Sequence, residues 1–315
     1  MSLRLSAALI LCGCTSTHVA AVADEASDTT TSQDDGSTTE GACAPPVHLE
    51  DCDAAADPLR APEFACYDGV SRASFESLDT NAWRRTREFG NAFWVSQNTE
   101  TVLALSTGRL PAAGDAGEVA LSPGAAEDAP ADNDNPDDAS LPDPIGLDIE
   151  ADDLIWLRFD ADVPPGVRGY TARVGLLSTE YPEGIGEDGD RLVWWSQSTR
   201  FTGDLATWNG VPATTTGLAT RMHEFRGGHP MLARTGFDGT TGQPCTIDGT
   251  RLPDCPVGAS TGWMELRGPA APGERLRIAV ALFDAGTLDR DTVVLLDAFT
   301  WTCEGCEPGV DCGLQ

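Results

Sequence analysis

The sequence predicts an all-β protein, a β-sandwich that could be of jelly-roll type, with long disordered polar segments. Short runs rich in Val, Leu, Thr and aromatic residues recur along the chain, and Gly, Pro and Asp separate them. No long stretch has the apolar periodicity and end caps of a helix. The predicted strands cover residues 82–88, 92–95, 101–106, 153–160, 169–177, 191–196, 201–207, 262–266, 275–283 and 292–302.

The run from Arg275 to Leu282 shows why a sandwich is expected. Its pattern passes from alternating to continuously apolar, which is typical of a strand that enters the interior of a sandwich. A hydrophobic content of 41% with eight tryptophans is enough for a substantial core. One folded body within residues 43–315 is therefore predicted, with a Cys-rich tail over 303–315.

Residues 1–13 have the features of a lipoprotein signal peptide. In the motif Leu11-Cys12-Gly13-Cys14, Leu11 lies three positions before Cys14 and the small Gly13 directly before it, as a lipoprotein signal peptidase requires. The apolar run is short and Arg4 is its only positive charge, so a leader with incidental cysteines is the alternative. Cys14 is the predicted lipidation site. It would hold the protein at the outer membrane or cell surface of a bacterium, outside the cytoplasm.

Two polar stretches carry almost no large apolar side chains. Residues 14–42 are rich in Ser, Thr and Asp and are predicted to form a disordered stalk. An acidic insertion near 111–144 contains no basic residue. It is too long for an ordinary connection, so it is either disordered or a loop ordered by cations.

The charge of the chain limits its partners. The formal net charge is −30, and all twenty basic residues are arginine. Such a surface repels nucleic acid and anionic headgroups. No segment approaches the roughly 20 apolar residues that a membrane span needs. We therefore expect membrane contact through the lipid alone, and an envelope or extracellular polysaccharide or a protein as the ligand.

Eight of the ten cysteines follow Cys14, and outside the cytoplasm an even set predicts disulfides. If Cys245 pairs with Cys255, three cysteines remain in the N-terminal cluster (43, 52 and 66) and three in the C-terminal cluster (303, 306 and 312), an odd number in each. Complete oxidation then requires at least one bridge between the two clusters. A zinc or redox role for the C-x-x-C at Cys303 and Cys306 is the alternative. The candidates are Cys43, Cys52, Cys66, Cys245, Cys255, Cys303, Cys306 and Cys312.

Several segments, read in order, resemble the choice-of-anchor L domain of bacterial surface and secreted proteins. They are the strand end Leu103–Gly108 (LALSTG), the segment Ser178–Glu183 (STEYPE), Asp190, and the strand 291–299 (DTVVLLDAF). The resemblance covers about 100–302, and STEYPE is its specific part. It implies an extracytoplasmic domain that varied anchors attach, with no established catalytic activity. Gly189 and Ala298 depart from the family, which has Asn at both positions.

Four acidic residues, Glu180, Glu183, Asp190 and Asp297, are candidate ligands for Ca²⁺, because calcium takes six to eight oxygen ligands from loops. The alternative is that these acids lie in solvated loops, with Glu180 or Asp297 capping backbone amides. Trp195 and Trp208 are candidate stacking faces for sugar rings, which would make the protein a carbohydrate-binding module. Core packing is the alternative for both tryptophans.

No catalytic residue is predicted. The sequence G-x-S-x-G at Gly258, Ser260 and Gly262 lacks the strand-to-helix setting of a nucleophile elbow, and no histidine follows His229. His223 and His229 are six residues apart, so they cannot share a helix face as zincin ligands do. The sequence therefore predicts a non-catalytic protein of adhesion or surface recognition.

Overall fold

The computed structural model describes residues 43–46, 52, 57–98, 101–110, 135, 139–186, 189–247, 249–285 and 290–315. All of them belong to one compact unit, Glu40–Gln315. The predicted signal peptide, Cys14, the stalk and most of the acidic insertion lie outside the described residues. Within the described part, no helix is long and apolar enough to cross a membrane.

The regular elements of the described residues are β-strands apart from one short α-helix, α1 (Ala219–Glu224), and a 3-10 turn at Pro230–Leu232. The strands are β1 (Val70–Glu76), β2 (Trp83–Thr86), β3 (Glu88–Phe89), β4 (Asn91–Val95), β5 (Val102–Ser106), β6 (Ala139–Ser140), β7 (Glu150–Asp162), β8 (Gly169–Ser178), β9 (Arg191–Gln197), β10 (Thr202–Asp204), β11 (Thr207–Trp208), β12 (Val211–Thr214), β13 (Phe225–Arg226), β14 (Gly239–Thr240), β15 (Cys245–Ile247), β16 (Thr250–Leu252), β17 (Pro256–Val257), β18 (Ala259–Pro269), β19 (Arg275–Asp284), β20 (Thr292–Thr302) and β21 (Gly313–Leu314).

The all-β prediction is confirmed, with local differences. The predicted strand 201–207 is two short strands, β10 and β11. The seven-residue β1 was not predicted, because its sequence VSRASFE lacks a clear apolar alternation. It forms because β7 offers a long partner, to which β1 pairs in antiparallel fashion. Residues 70–76 are therefore a strand because of their pairing with β7, which is remote in sequence.

The main sheet curls into two layers. One layer has the strand order β1-β7-β19-β9-β12, and the other has the order β18-β8-β20-β5-β2. The two-residue strands β11 and β21 join them, because β11 pairs with β12 and β21 pairs with β18. We call them the first layer and the second layer. Their facing sides enclose one core cluster, as in a sandwich.

The core contains a group of aromatic rings in contact. Phe64 stacks on Phe159 at a centroid distance of 5.0 Å, and its edge meets Trp194 at 5.4 Å and Phe299 at 5.5 Å. All four side chains are essentially inaccessible to solvent. Such edge and offset contacts stabilise a core beyond the area they bury. The prediction for β19 is confirmed, since its even-numbered residues from Leu276 face this core.

The outer face of each layer is partly covered. On the first layer, the outward side chains of β19 pack with those of residues 145–154. On the second layer, Leu177, Val293 and Leu295 are covered by Trp94 and Phe237. This cover leaves part of the second layer's outer face open to solvent, where a groove lies.

All eight predicted cysteines form disulfides: Cys43–Cys303, Cys52–Cys66, Cys245–Cys255 and Cys306–Cys312. The first joins residues 260 positions apart, which is the N-to-C bridge that the odd clusters required. Cys303 and Cys306 have different partners, so the C-x-x-C motif is not a redox pair. The chain after the stalk is thus fastened to the end of β20.

Candidate functional site

The segments that carry the family resemblance meet at one end of the sandwich. β5 ends at Ser106 and β8 ends at Ser178, while β20 begins at Thr292 between them. Thr292 pairs with Ser178, and Val293 pairs with Ser106, so the three strand ends lie side by side. Sheet pairing therefore brings together residues that are 70 to almost 190 positions apart in the chain.

Glu180 and Asp190 are bonded to each other at this end. The backbone N–H of Asp190 donates to Glu180 Oε1 at 3.1 Å. The hydroxyl of Thr107 donates to Asp190 Oδ2 at 3.0 Å, and that of Thr215 donates to Glu180 Oε2. Both acids are buried, with 1% and 2% exposure, and Asp291 beside them is 8% exposed. We call Glu180, Asp190 and Asp291 the acid cluster.

Two glycines make room for these carboxylates. A Cβ at Gly108 would lie 2.2 Å from Asp291 Cγ, and a Cβ at Gly189 would lie 2.0 Å from Glu180 Oε1. A side chain at either position would therefore displace the neighbouring carboxylate. Gly189 stands where the resembling family has Asn. In this chain the Glu180 carboxylate occupies the space that a side chain at position 189 would need.

The electrostatics of the acid cluster favour a proton on Asp190. Burial raises the pKa of Asp190 well above its ordinary value, and the charges of Glu180, Asp284 and Asp291 raise this pKa further. Asp190 Oδ1 is buried and has no hydrogen-bond partner within the described residues. A charged carboxylate in that position is costly, so the surroundings favour the protonated form of Asp190.

The four predicted calcium ligands lie in three separate places. Glu180 and Asp190 are in the acid cluster, whereas Glu183 is exposed and paired with Arg290. Asp297 is buried elsewhere, and it accepts the backbone N–H of Gln97. Glu180 and Asp297 therefore bind backbone amides, as the alternative expected, but Glu180, Asp190 and Asp297 are buried and do not lie in solvated loops. Within the described residues no group of three or more His, Cys, Asp and Glu side chains is arranged to hold a metal ion. Calcium binding therefore stays a prediction.

Asp297 lies on the outer face of the second layer, beneath the segment that follows β4. It accepts the Ser96 hydroxyl at 3.1 Å as well as the Gln97 N–H. Burial, with a smaller contribution from the nearby Glu63, raises the pKa of Asp297 to about 7. Glu63 Oε2 in turn accepts the side-chain amide of Asn98 at 2.9 Å. Two buried acids thus fix the position of residues 96–98.

Beside this segment is a groove of about 630 Å³ on the second layer. Strands β8, β18 and β20 form its floor, and residues 97–98 with Tyr67 form its walls. We call this feature the sheet groove. Its polar lining comprises Gln97, Asn98, Thr171, Arg173, Glu265 and Thr300.

A β-bulge shapes the floor of the sheet groove. β20 pairs with β8 at Asp297 and again at Thr300, and the register shifts between them. Ala298 in the bulge has φ = 53° and lines the groove, while Phe299 points into the core. Bulges turn side chains in this way next to functional sites. The backbone at Ala298 is left-handed, a conformation that is uncommon for residues with a Cβ.

Ala298→Gly is expected to stabilise the protein by roughly 0.5–1 kcal/mol. Relief of left-handed strain is worth about 1–2 kcal/mol, and the greater freedom of glycine in the unfolded chain offsets part of it. Thermal unfolding should show a Tm higher by about 1–4 °C. The matched control is Ala172→Gly on β8, where φ is not positive and the substitution should destabilise. A Tm for Ala298→Gly below that of the unaltered protein would contradict the presence of backbone strain at Ala298.

Neither predicted sugar-binding tryptophan presents an open ring. Trp194 is buried in the core, and its neighbour Trp195 packs against the outer cluster of the first layer, with Gly146 beside its ring. Trp208 is half-buried against the core, and the guanidinium of Arg221 lies 5.4 Å from the centre of its ring. Sugar binding by these two residues stays a prediction.

No protein-family model and no curated protein matches the chain. Among solved structures, one that is similar is TmCBM61 in complex with β-1,4-galactotriose. Sequence identity is 11%, the alignment covers 78% of this chain and 94% of that one, and the TM-score is 0.27. Because identity and TM-score are this low, no ligand or site residue is transferred from that protein.

Some of these residues could be found from sequence and others could not. Thr107 and Asp291 lie within the resembling segments, so a prediction that took every polar residue of those segments would have included them. Thr215 has no such signal. The sheet groove has none either, because its residues come from five separate parts of the chain.

Proposed function

We propose that this protein is a lipid-anchored β-sandwich of the bacterial envelope that acts outside the cytoplasm in adhesion or surface recognition, without catalysis. The observation that carries the proposal is the pairing of all eight cysteines after Cys14. Disulfides persist in oxidising compartments, which is where a lipoprotein signal would deliver the chain. The sheet groove is the binding site in this proposal.

The environment of Ser260 supports a non-catalytic role. Ser260 lies in β18, is fully buried and is paired with Leu177 of β8. A substrate carbonyl could not reach its hydroxyl. His223 is engaged by Tyr181, whose hydroxyl lies 3.0 Å from Nδ1, and by Arg226 at Nε2. The G-x-S-x-G match and the histidine pair are therefore explained by structural roles.

The carbohydrate-binding alternative requires the same fold and the same compartment. It differs in naming a sugar as the ligand and Trp195 and Trp208 as its binding residues. A test of anchoring therefore bears on both forms of the proposal, and a test of ligand binding separates them.

Cys14→Ser is expected to abolish incorporation of radiolabelled palmitate and to move the protein from the membrane fraction to the soluble fraction. The thiol of Cys14 is the proposed attachment point, and a hydroxyl there is not lipidated by the same transfer. Cys12→Ser is the matched control and should remain labelled. Absence of label from the unaltered protein, or label that persists in Cys14→Ser, would overturn the proposed anchor.

A further inference from the structure

We propose that the sheet groove binds a neutral oligosaccharide. This inference rests on the proposed recognition function and names the ligand class of its site. The groove volume of about 630 Å³ lies within the range of roughly 300–1,000 Å³ that is usual for small-ligand sites. That volume accommodates several sugar rings. The charge, the hydrogen-bonding groups and the aromatic rim of the groove together favour a neutral sugar.

The charged side chains that line the sheet groove compensate each other, and two buried acids, Asp297 and Glu63, lie behind its wall. Arg173 and Glu265 pair across β8 and β18, with Nη2 and Oε2 3.3 Å apart, so their charges compensate. Burial raises the pKa of Tyr67 to about 12, which keeps its hydroxyl neutral. With a net charge of −30 around it, the groove repels anions and has no excess positive charge to hold one. A neutral ligand is therefore favoured.

The groups along the groove suit hydroxyl-rich ligands. Two carboxamides, Gln97 and Asn98, and two threonine hydroxyls, Thr171 and Thr300, line the groove. Carboxamides and hydroxyls both donate and accept hydrogen bonds, as sugar hydroxyls do. Asn98 gives one amide N–H to Glu63, and its group has a second N–H and a carbonyl oxygen to offer.

These donors are fixed before a ligand arrives. The backbone N–H of Gln97 is bonded to the buried Asp297, and its side-chain amide donates to Val95 O at 2.9 Å. Side chains held in this way lose less entropy when they bind. The buried acids Asp297 and Glu63 therefore act as positioning residues for the groove wall.

Two aromatic residues adjoin the groove beyond Glu265, and we call them the aromatic rim: Phe93, and Trp263, which is half-buried with its ring 5.4 Å from that of Trp94 between centroids. Trp263 lies two residues before Glu265, so both project from the same face of the strand. Its Nε1 donates to Phe93 O at 2.9 Å, and the Phe93 ring is 52% exposed. Sugar rings pack their C–H faces on such rings while their hydroxyls bond to neighbouring polar groups. The combination of a neutral polar floor and an aromatic rim fits an oligosaccharide better than a peptide or a phosphorylated ligand.

The test is isothermal titration of the purified protein with soluble gluco-, manno-, xylo- and galacto-oligosaccharides, and with oligogalacturonate as the charged counterpart of the last. We expect at least one neutral oligosaccharide to bind and oligogalacturonate to bind at least about tenfold more weakly. Gln97→Ala with Thr300→Ala should weaken neutral binding about tenfold or more, since each lost hydrogen bond is worth about 0.5–1.5 kcal/mol. Gln97→Ala keeps the backbone bond to Asp297, so the fold should be retained.

Gln243→Ala is the matched control, because Gln243 is exposed on a distant loop and its structural bond uses the backbone carbonyl. Its affinity should equal that of the unaltered protein. The inference is overturned if no neutral oligosaccharide binds at millimolar concentration, if oligogalacturonate binds equally well, or if the double variant binds normally. Palmitate labelling that persists in the absence of glycan binding would leave the anchor proposal standing while removing this one.

Discussion

Removal of the Cys43–Cys303 disulfide, by serine at both positions, is expected to lower the free energy of unfolding by about 5 kcal/mol. The bridge joins residues 260 positions apart, and in the chain-entropy model the gain grows with the logarithm of the closed loop. Cys43 also packs where Gly166 leaves room, since a Cβ there would lie 2.8 Å from Cys43 Cα. Chemical denaturation under non-reducing conditions measures the loss.

The Cys306–Cys312 bridge provides the matched control. Its sequence separation is 6, for which the same relation gives about 2 kcal/mol. Serine at both of these positions should therefore destabilise less than half as much. Equal losses for the two double variants would contradict the entropic explanation and would favour a contribution from local contacts in the native state.

Asp190→Asn is expected to raise the Tm at mildly alkaline pH by at least roughly 3 °C and to flatten its dependence on pH. Burial and the charges of Glu180, Asp284 and Asp291 raise the pKa of Asp190. A raised pKa means that the folded chain holds this proton more tightly than the unfolded chain does. The contribution is fully present below the ordinary Asp pKa of about 3.9, and it is lost as pH rises through the raised value.

An asparagine at position 190 stays neutral at every pH and can still accept the Thr107 hydroxyl. A buried polar atom without a partner costs about 1–3 kcal/mol, and more when it is charged, so the relief is substantial. Thermal unfolding across a pH series in excess EDTA measures it. Asp160→Asn is the control and should lower the Tm. Asp160 is buried against Arg275, whose Nε donates to it at 3.0 Å, and the substitution removes the charge that holds this pair together.

The same variant tests the calcium prediction. A rise in Tm on adding millimolar Ca²⁺ that Asp190→Asn lacks would show that a cation neutralises the acid cluster. No calcium effect, together with a more stable Asp190→Asn, would show that a proton does so. The two explanations predict different responses of the Tm to calcium, so one series of measurements separates them.

Much of the fold could be predicted because its signals are local. β19 and β20 have apolar runs and flanking turn residues that need no partner to be identified. β1 could not be predicted, because its polar sequence becomes a strand only beside β7. Given a Cys245–Cys255 pair, parity predicted a bridge between the two terminal cysteine clusters, but only the structure selects Cys43 and Cys303 as the pair.

The acid cluster was partly predictable. Glu180 and Asp190 were named from their segments, whereas Thr107 and Asp291 join them only through the pairing of β5, β8 and β20. Thr215 follows β12 of the first layer, which pairs with β9. The separation of Glu183 and Asp297 from this cluster had no signal in the sequence. Spacing along a chain does not report which strand ends become neighbours.

The sequence by itself determined the all-β class, because composition and short periodic patterns suffice for it, and its even set of cysteines predicted the disulfides. Only the tertiary structure decided the disulfide partners, the proton-favouring acid cluster and the sheet groove. Each of these depends on side chains from strands distant in sequence, whose positions are set by sheet register and by a single bulge at Ala298.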